Sequence, residues 1–319
     1  MPGFPFAPSR LDLAVEANSL LRGEANVEIK GVSEEVYHQA GCLIHIITIL
    51  DEQGAEIMGR PQGRYITLDI PHCESEDTIA DIAAAAAGQL RSLLPLPLKS
   101  GPLLVVGLGN DNATPDALGP TVAESTFATR HLFQNGQAPA GISPVCAISP
   151  GVLGNSGIET AEIIRGICQY LKPAALIAVD SLAAASVTRV GTTIQISDTG
   201  IRPGSGVGNE RRCIDKELLG CPVIAIGVPT VVDSAAIIAE TASTLNDYWQ
   251  TQKMPAPQAD AAACDYAEEK LLSRFQGRLM VTPKDIDTLI EQDGRIIAAA
   301  IAMAVHPAAN KGNYHNFID

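Results

Sequence analysis

Between Leu103 and Pro120 the chain reads LLVVGLGNDNATPDALGP, and this stretch limits the fold more than any other. Leu103–Val106 is an aliphatic run with no polar alternation, so a strand here must be covered on both faces. The glycine- and asparagine-rich Gly107–Asn112 then turns the chain. Thr114 suits a helix cap and Pro115 a first helical position, with the helix expected to run on to about Phe133. The unit is strand, loop, helix, and it carries one carboxylate, Asp116, at the C-terminal end of a buried strand. In open α/β sheets ligands and chemistry gather at that end.

A second run of the same kind, Ala174–Val179, ends at Asp180. Parallel strands share one C-terminal edge, so Asp116 and Asp180 can face one crevice. Two carboxylates held close do not both ionise readily; one keeps its proton while the other activates water. That arrangement suits amide hydrolysis. Taken separately, Asp116 is a helix-terminus residue and Asp180 a solvated strand end.

Strand and helix patterns alternate along the rest of the chain. Cys42–Leu50 and Arg64–Ile70 read as strands joined by a turn containing Asp51, Gly54 and Gly59. Leu13–Leu21, Glu76–Leu94 (with Ser75 as cap), Gly157–Tyr170 (with Ser156 as cap), Asp233–Trp249 and Pro283–Val305 read as helices. Pro144–Ile148 and Pro222–Ile226 read as short strands, and Thr192–Ser197 as a strand with one wet face. The expected class is α/β, with a mainly parallel sheet and helices on both faces. Asp198–Asn209, DTGIRPGSGVGN, is a glycine-rich loop whose Gly204, Ser205, Gly206 and Gly208 can offer backbone N–H groups to a peptide or an oxyanion; an ordinary surface turn is the other reading.

Several classes are disfavoured. With 36 acidic against 22 basic residues, a nucleic acid backbone is not an expected direct ligand. Seven scattered cysteines without CxxC read as reduced thiols, and six histidines without HxxxH or HExxH give no metal motif. No cofactor is expected. The third glycine of a dinucleotide fingerprint falls on Asn112, which leaves a dinucleotide- or anion-binding module as a weak alternative. MPGFPFAPSR has no basic segment followed by an apolar one, and the Ala-rich Ile296–Val305 is short of the roughly 20 residues of a membrane span, so a cytoplasmic location is expected.

Seven strings run in order along almost the whole chain: LDLAVEA (Leu11–Ala17), GLGNDNATPDALGP (Gly107–Pro120), SPGVLGNSGIET (Ser149–Thr160), AVDSLAA (Ala178–Ala184), TTIQISDTGIRPGSGVGNERR (Thr192–Arg212), PVIAIGVPTVVD (Pro222–Asp233) and LMVTPKDID (Leu279–Asp287). In these the chain resembles the germination proteases, or spore proteases, of endospore-forming bacteria. The resemblance implies an endopeptidase that degrades small acid-soluble spore proteins during germination in the spore core. It also implies a zymogen that forms a homotetramer and removes its own N-terminal segment, and a fold like that of the hydrogenase maturation proteases. The family's two acids fall on Asp116 and Asp180. The family cuts after an acidic residue in a Thr-Glu-(Ile or Phe)-Ala setting; here the N-terminus offers Leu11-Asp12-Leu13-Ala14, with the acid at Asp12 and Leu11 where Thr is expected. This puts autocleavage between Asp12 and Leu13, with residues 1–12 as propeptide and 13–319 as one peptidase domain. A metal-dependent peptidase of the same fold is the alternative within this resemblance.

Overall fold

The computed structural model describes residues 11–23, 26–71, 75–203, 212–253, 260–275 and 279–318. The chain opens with α1 (Ala14–Arg22), β1 (Val32–Gln39), β2 (Cys42–Ile49), α2 (Glu52–Met58), β3 (Gly63–Asp69) and α3 (Glu76–Leu93). It continues through β4 (Leu103–Gly107), α4 (Leu118–Glu124), α5 (Arg130–Gln134), β5 (Val145–Ile148), α6 (Leu153–Ser156), α7 (Thr160–Leu171) and β6 (Ala175–Ala184). β7 (Thr193–Ser197), α8 (Lys216–Leu219), β8 (Val223–Asp233), α9 (Ser234–Thr251), α10 (Ala261–Leu272), β9 (Met280–Val281) and α11 (Ile286–Val305) complete it.

The strands form one nine-stranded sheet in the order β1-β2-β3-β7-β8-β6-β4-β5, with β9 also on β8. The expected α/β class holds. Its parallel part is β8-β6-β4-β5, and β1, β2, β3, β7 and β8 pair antiparallel. Side chains in β4 divide as the aliphatic run requires. Leu103 and Val105 join the core under α3, α4 and α11, while Leu104 and Val106 join the core under α7 on the other face. The alanine-rich α3 and α11 pack on each other, small side chains letting the two helices share one layer.

Local chemistry accounts for the boundaries. Ser75 and Asp233 cap α3 and α9 as expected, accepting from Thr78 N and Ala235 N. The expected turn after β2 is instead the helix α2, because Asp51 caps it by accepting from Gly54 N and Gly59 closes it in the left-handed region. The helix expected to run to Phe133 stops at Glu124 and resumes as α5. Ser156 ends α6 rather than capping α7, and Thr282 caps nothing: its hydroxyl donates to the Thr230 carbonyl, and α11 starts at Ile286. The strand expected to end at Asp180 continues to Ala184, because β8 is also longer than its apolar run and pairs with it as far as Val232.

One backbone contact fixes the parallel half. A Cβ on Gly107 would lie 2.0 Å from the Gly119 carbonyl oxygen, and one on Gly119 would lie 2.1 Å from the Leu108 oxygen and 2.6 Å from the Val179 oxygen. Only two glycines let the start of α4 sit directly on β4 and β6. Gly119→Ala should therefore cost at least about 1–3 kcal/mol by overpacking, whereas Gly88→Ala, in α3 with open space around it, should gain about 0.5–1 kcal/mol. Urea unfolding of the two variants checks this.

Asp293 lies in α11 at 3% exposure, and burial pushes its carboxyl up to about 8. The unfolded chain ionises this group near 4, so the folded state takes up a proton. Its contribution to stability is full below about pH 4 and is lost as pH rises through about 8. Asp293→Asn should raise Tm most at alkaline pH, with the gain shrinking toward acid pH. A set of thermal melts across pH measures this directly.

Candidate active site

Asp116 lies on the turn that follows β4, and Asp180 lies on the neighbouring parallel strand β6, one residue past the end of its pairing with β4. Gly107, the last residue of β4, is in register with Val179, one residue before Asp180. The chain leaves β4 with Leu108 N donating to Val179 O at 2.8 Å, then returns through the 3-10 turn Thr114–Asp116. Asn110 N donates to Asp116 O at 3.0 Å, and a Cβ on Gly109 (φ +117°) would lie 2.0 Å from that same oxygen. Thr230 of β8 pins the turn from the other side, its hydroxyl donating to Pro115 O at 2.6 Å. Thr114 does not cap; Ala113 occupies that position without a side-chain bond. The two glycines that resemble a dinucleotide fingerprint are thus consumed in close backbone packing, Gly107 on Gly119 and Gly109 on Asp116.

Asp116 is half-buried, and Asp180 is buried inside its strand rather than at a solvated end. Asp180 Oδ1 accepts from Ser181 N at 3.0 Å. Asp180, Gly227 of β8 and Gln195 of β7 stand in register on three adjacent strands. Residues so aligned point to one face, and two strand spacings put Gln195 roughly 10 Å from Asp180 with a glycine between. A Cβ at position 227 would meet the Leu182 side chain at 2.5 Å, so glycine there leaves Leu182 its place.

The N-terminal segment lies on this face. Asp12 Oδ2 accepts from Ala183 N at 3.0 Å, three residues beyond Asp180. The Gln195 carboxamide donates to Asp12 O at 3.1 Å and accepts from Ala14 N at 2.7 Å. Arg60 donates to Leu11 O. Leu13 is fully buried in a cluster with Ile47, Tyr65 and Leu182. Further on, both oxygens of Glu16 accept from Ala185 N, at 3.0 and 3.1 Å, with Arg189 Nε at 3.8 Å. Burial raises the Glu16 carboxyl to about 7 against the opposing pull of the Ala185 bond and Arg189. A cavity of about 690 Å³ opens beside the segment, lined by Asp12, Arg60, Tyr65, Gln195, Thr199 and Cys213 among others.

The wet face expected for β7 is dry. Thr193, Gln195 and Ser197 are buried, since Asp69 and Arg189 cover the first and the N-terminal segment covers the second. Gly204, Ser205, Gly206 and Gly208 lie outside the described residues; the flank of their loop at Gly200, Ile201 and Arg202 borders the cavity. Gln195, Arg60 and Glu16 were not singled out by sequence reasoning. The polar residue in TTIQIS was the available signal, but alternation alone assigned it to solvent. Cys146, Cys168, Cys213, Cys221 and Cys264 are free thiols. Among the described residues no group of three or more His, Cys, Asp or Glu is placed to hold a metal ion, and no helix is long and apolar enough to cross a membrane.

The family described as Germination protease matches residues 10–270. A germination protease of Clostridium tetani is 41% identical over 97% of this chain and 99% of that relative. One of Clostridium perfringens is 43% identical over 93% and 95%, and one of Bacillus velezensis 39% identical over 96% of both. Among solved structures, the [NiFe] hydrogenase maturation protease HycI of Thermococcus kodakarensis aligns over 67% of this chain and 98% of its own, at 17% identity and a TM-score of 0.34. The extent and level of the sequence matches decide the assignment: the chain belongs to the germination protease family, and it is an endopeptidase of that type with a role in spore germination.

Proposed function

We propose that the chain starts the degradation of small acid-soluble spore proteins in the germinating spore core, and that Asp116 and Asp180 are its working carboxylates. The observation that carries this reading is that Asp116, on the turn after β4, and Asp180, on the neighbouring strand β6 just past the end of β4, both lie within the strings shared with the family. One carboxylate takes a proton from water as the water oxygen bonds to the scissile carbonyl carbon. The other, protonated, donates to the carbonyl oxygen. When the tetrahedral intermediate collapses the C–N bond breaks, the nitrogen leaves with a proton from the pair, and a carboxylic acid and an amine result. The roles are not divided between the two, since a coupled pair titrates as a unit. The loop carrying Gly204, Ser205, Gly206 and Gly208 holds the peptide backbone or the developing oxyanion.

The chain is made as a zymogen, with residues 1–12 as propeptide and 13–319 as the peptidase unit, and it assembles as a homotetramer. The bond cut in self-processing is Asp12–Leu13. Supporting this, that peptide is gripped on the sheet face that carries Asp180, with an acidic side chain before the bond and a buried apolar one after it.

Asp116→Asn and Asp180→Asn should each lower kcat/KM on a Thr-Glu-Ile-Ala peptide by about 10²–10⁴-fold, the range of a lost general acid or base, with Tm little changed. Peptide cleavage followed by mass spectrometry reads this. Full activity in either variant would sink the pair. Hydrolysis by the pair needs one proton on it, so loss of residues 1–12 should be faster at mildly acidic than at neutral pH. A flat profile of N-terminal processing against pH would count against that control.

A further inference from the structure

The grip on Leu11–Ala14 has the form of a recognition site. Gln195 bonds the carbonyl of residue 12 and the N–H of residue 14, the two groups flanking Leu13 on one edge of the chain. This is the pattern a neighbouring strand would make, supplied by one side chain, and it reads backbone without regard to sequence. The acid is read separately. Asp12 Oδ2 takes the Ala183 N–H, which the register shift between Leu182 and Ala183 leaves free of the β8 ladder's regular spacing. Arg60 bonds the carbonyl just before Asp12 and lies 5.7 Å over the Tyr65 ring. Removal from water weakens the hold of Arg60 on its proton, and the charges that oppose this are those of Tyr65, Asp12 and Glu16. Arg60 is half-buried and lines the same cavity as Asp12; a cation partly removed from water needs an anion beside it, and Asp12 is the one that departs when the chain is cut after it.

We infer that Arg60 and the Ala183 N–H form the subsite for the acidic residue before the cleaved bond, and that Gln195 clamps the peptide on both sides of that bond. This rests on reading Asp12–Leu13 as the bond that is cut. The chain's own Leu11–Ala14 occupies the cleft as its first substrate. Release of the segment ending at Asp12 leaves Arg60 and the Ala183 N–H without that carboxylate, and the acid of a protein substrate replaces it.

A double-mutant cycle in the full chain tests this. Asp12→Asn and Arg60→Gln should each slow the appearance of the Leu13 N-terminus by about 10–100-fold, the worth of a charge-assisted hydrogen bond. The double variant should be no slower than the slower single one. Effects that multiply would overturn the subsite while leaving self-processing intact. In trans, the full chain after self-processing should prefer Leu-Asp-Leu-Ala over Leu-Asn-Leu-Ala by about tenfold or more. Arg60→Gln should erase that ratio, and Gln195→Leu should lower both rates alike and leave the ratio in place. The peptide pair on the unaltered protein needs no folded variant, and absence of a preference there overturns the proposal. If the peptides show an Arg60-dependent preference but the chain is never cut after Asp12, the self-processing reading falls and the subsite stands.

Discussion

The contact between Gly107 and Gly119 is the constraint on which the parallel half of the molecule depends. It is a backbone-on-backbone approach, with no room for a single Cβ on either side. Because α4 starts directly on β4 and β6, the eleven-residue path from Leu108 to Leu118 must fold back tightly over the strand ends. That path holds Asp116, tied through its carbonyl to Asn110 and through Pro115 to Thr230 of β8. Asp180 needs no such device, since it lies within β6 with ladders on both sides up to Val179 and with β8 beyond. One carboxylate is placed by a strand and the other by a loop compressed against it.

The second organising element is the register line Asp180, Gly227, Gln195. It marks a strip of sheet that would be solvent-facing in a chain without residues 11–16. Here those residues cover it, with Leu13 buried and Gln195, Ala183, Ala185 and Arg60 meeting their polar groups. Backbone groups removed from water need such partners, and each unmade bond would cost about 1–3 kcal/mol. The segment is therefore held by satisfied polar groups as much as by apolar burial. That is what a cleft requires if it is to accept peptides of differing sequence around one fixed acid.

Much of this was legible in the sequence, and the reasons for the rest are physical. The doubly buried runs at Leu103 and Ala174 announced parallel strands, and the cap residues Ser75 and Asp233 fixed two helix starts. Asp116, Asp180 and the Asp12–Leu13 bond enter the proposal through the strings that resemble the family. β1, VSEEVYHQ, was not anticipated because it is an edge strand whose side chains are largely exposed, so no apolar period marks it. The apolar run stops at Asp180 and so marks a strand end there, whereas pairing with β8 carries the strand on through Ser181 to Ala184. Alternation places Gln195 on a wet face because it reports which residues share a face, not what covers that face. The cover comes from a segment 181 residues away in sequence, which no local pattern encodes.

The central claim is that water, activated by the pair of strand-edge aspartates, cuts the peptide that the cleft holds. Incubating the purified full chain in H₂¹⁸O and analysing the released N-terminal piece by mass spectrometry tests it most directly. The account predicts a piece ending at Asp12 with one ¹⁸O in its new carboxylate, a partner chain beginning at Leu13, and neither product from the Asp116→Asn or Asp180→Asn chain. The same labelled product formed at the unaltered rate by either variant would contradict it.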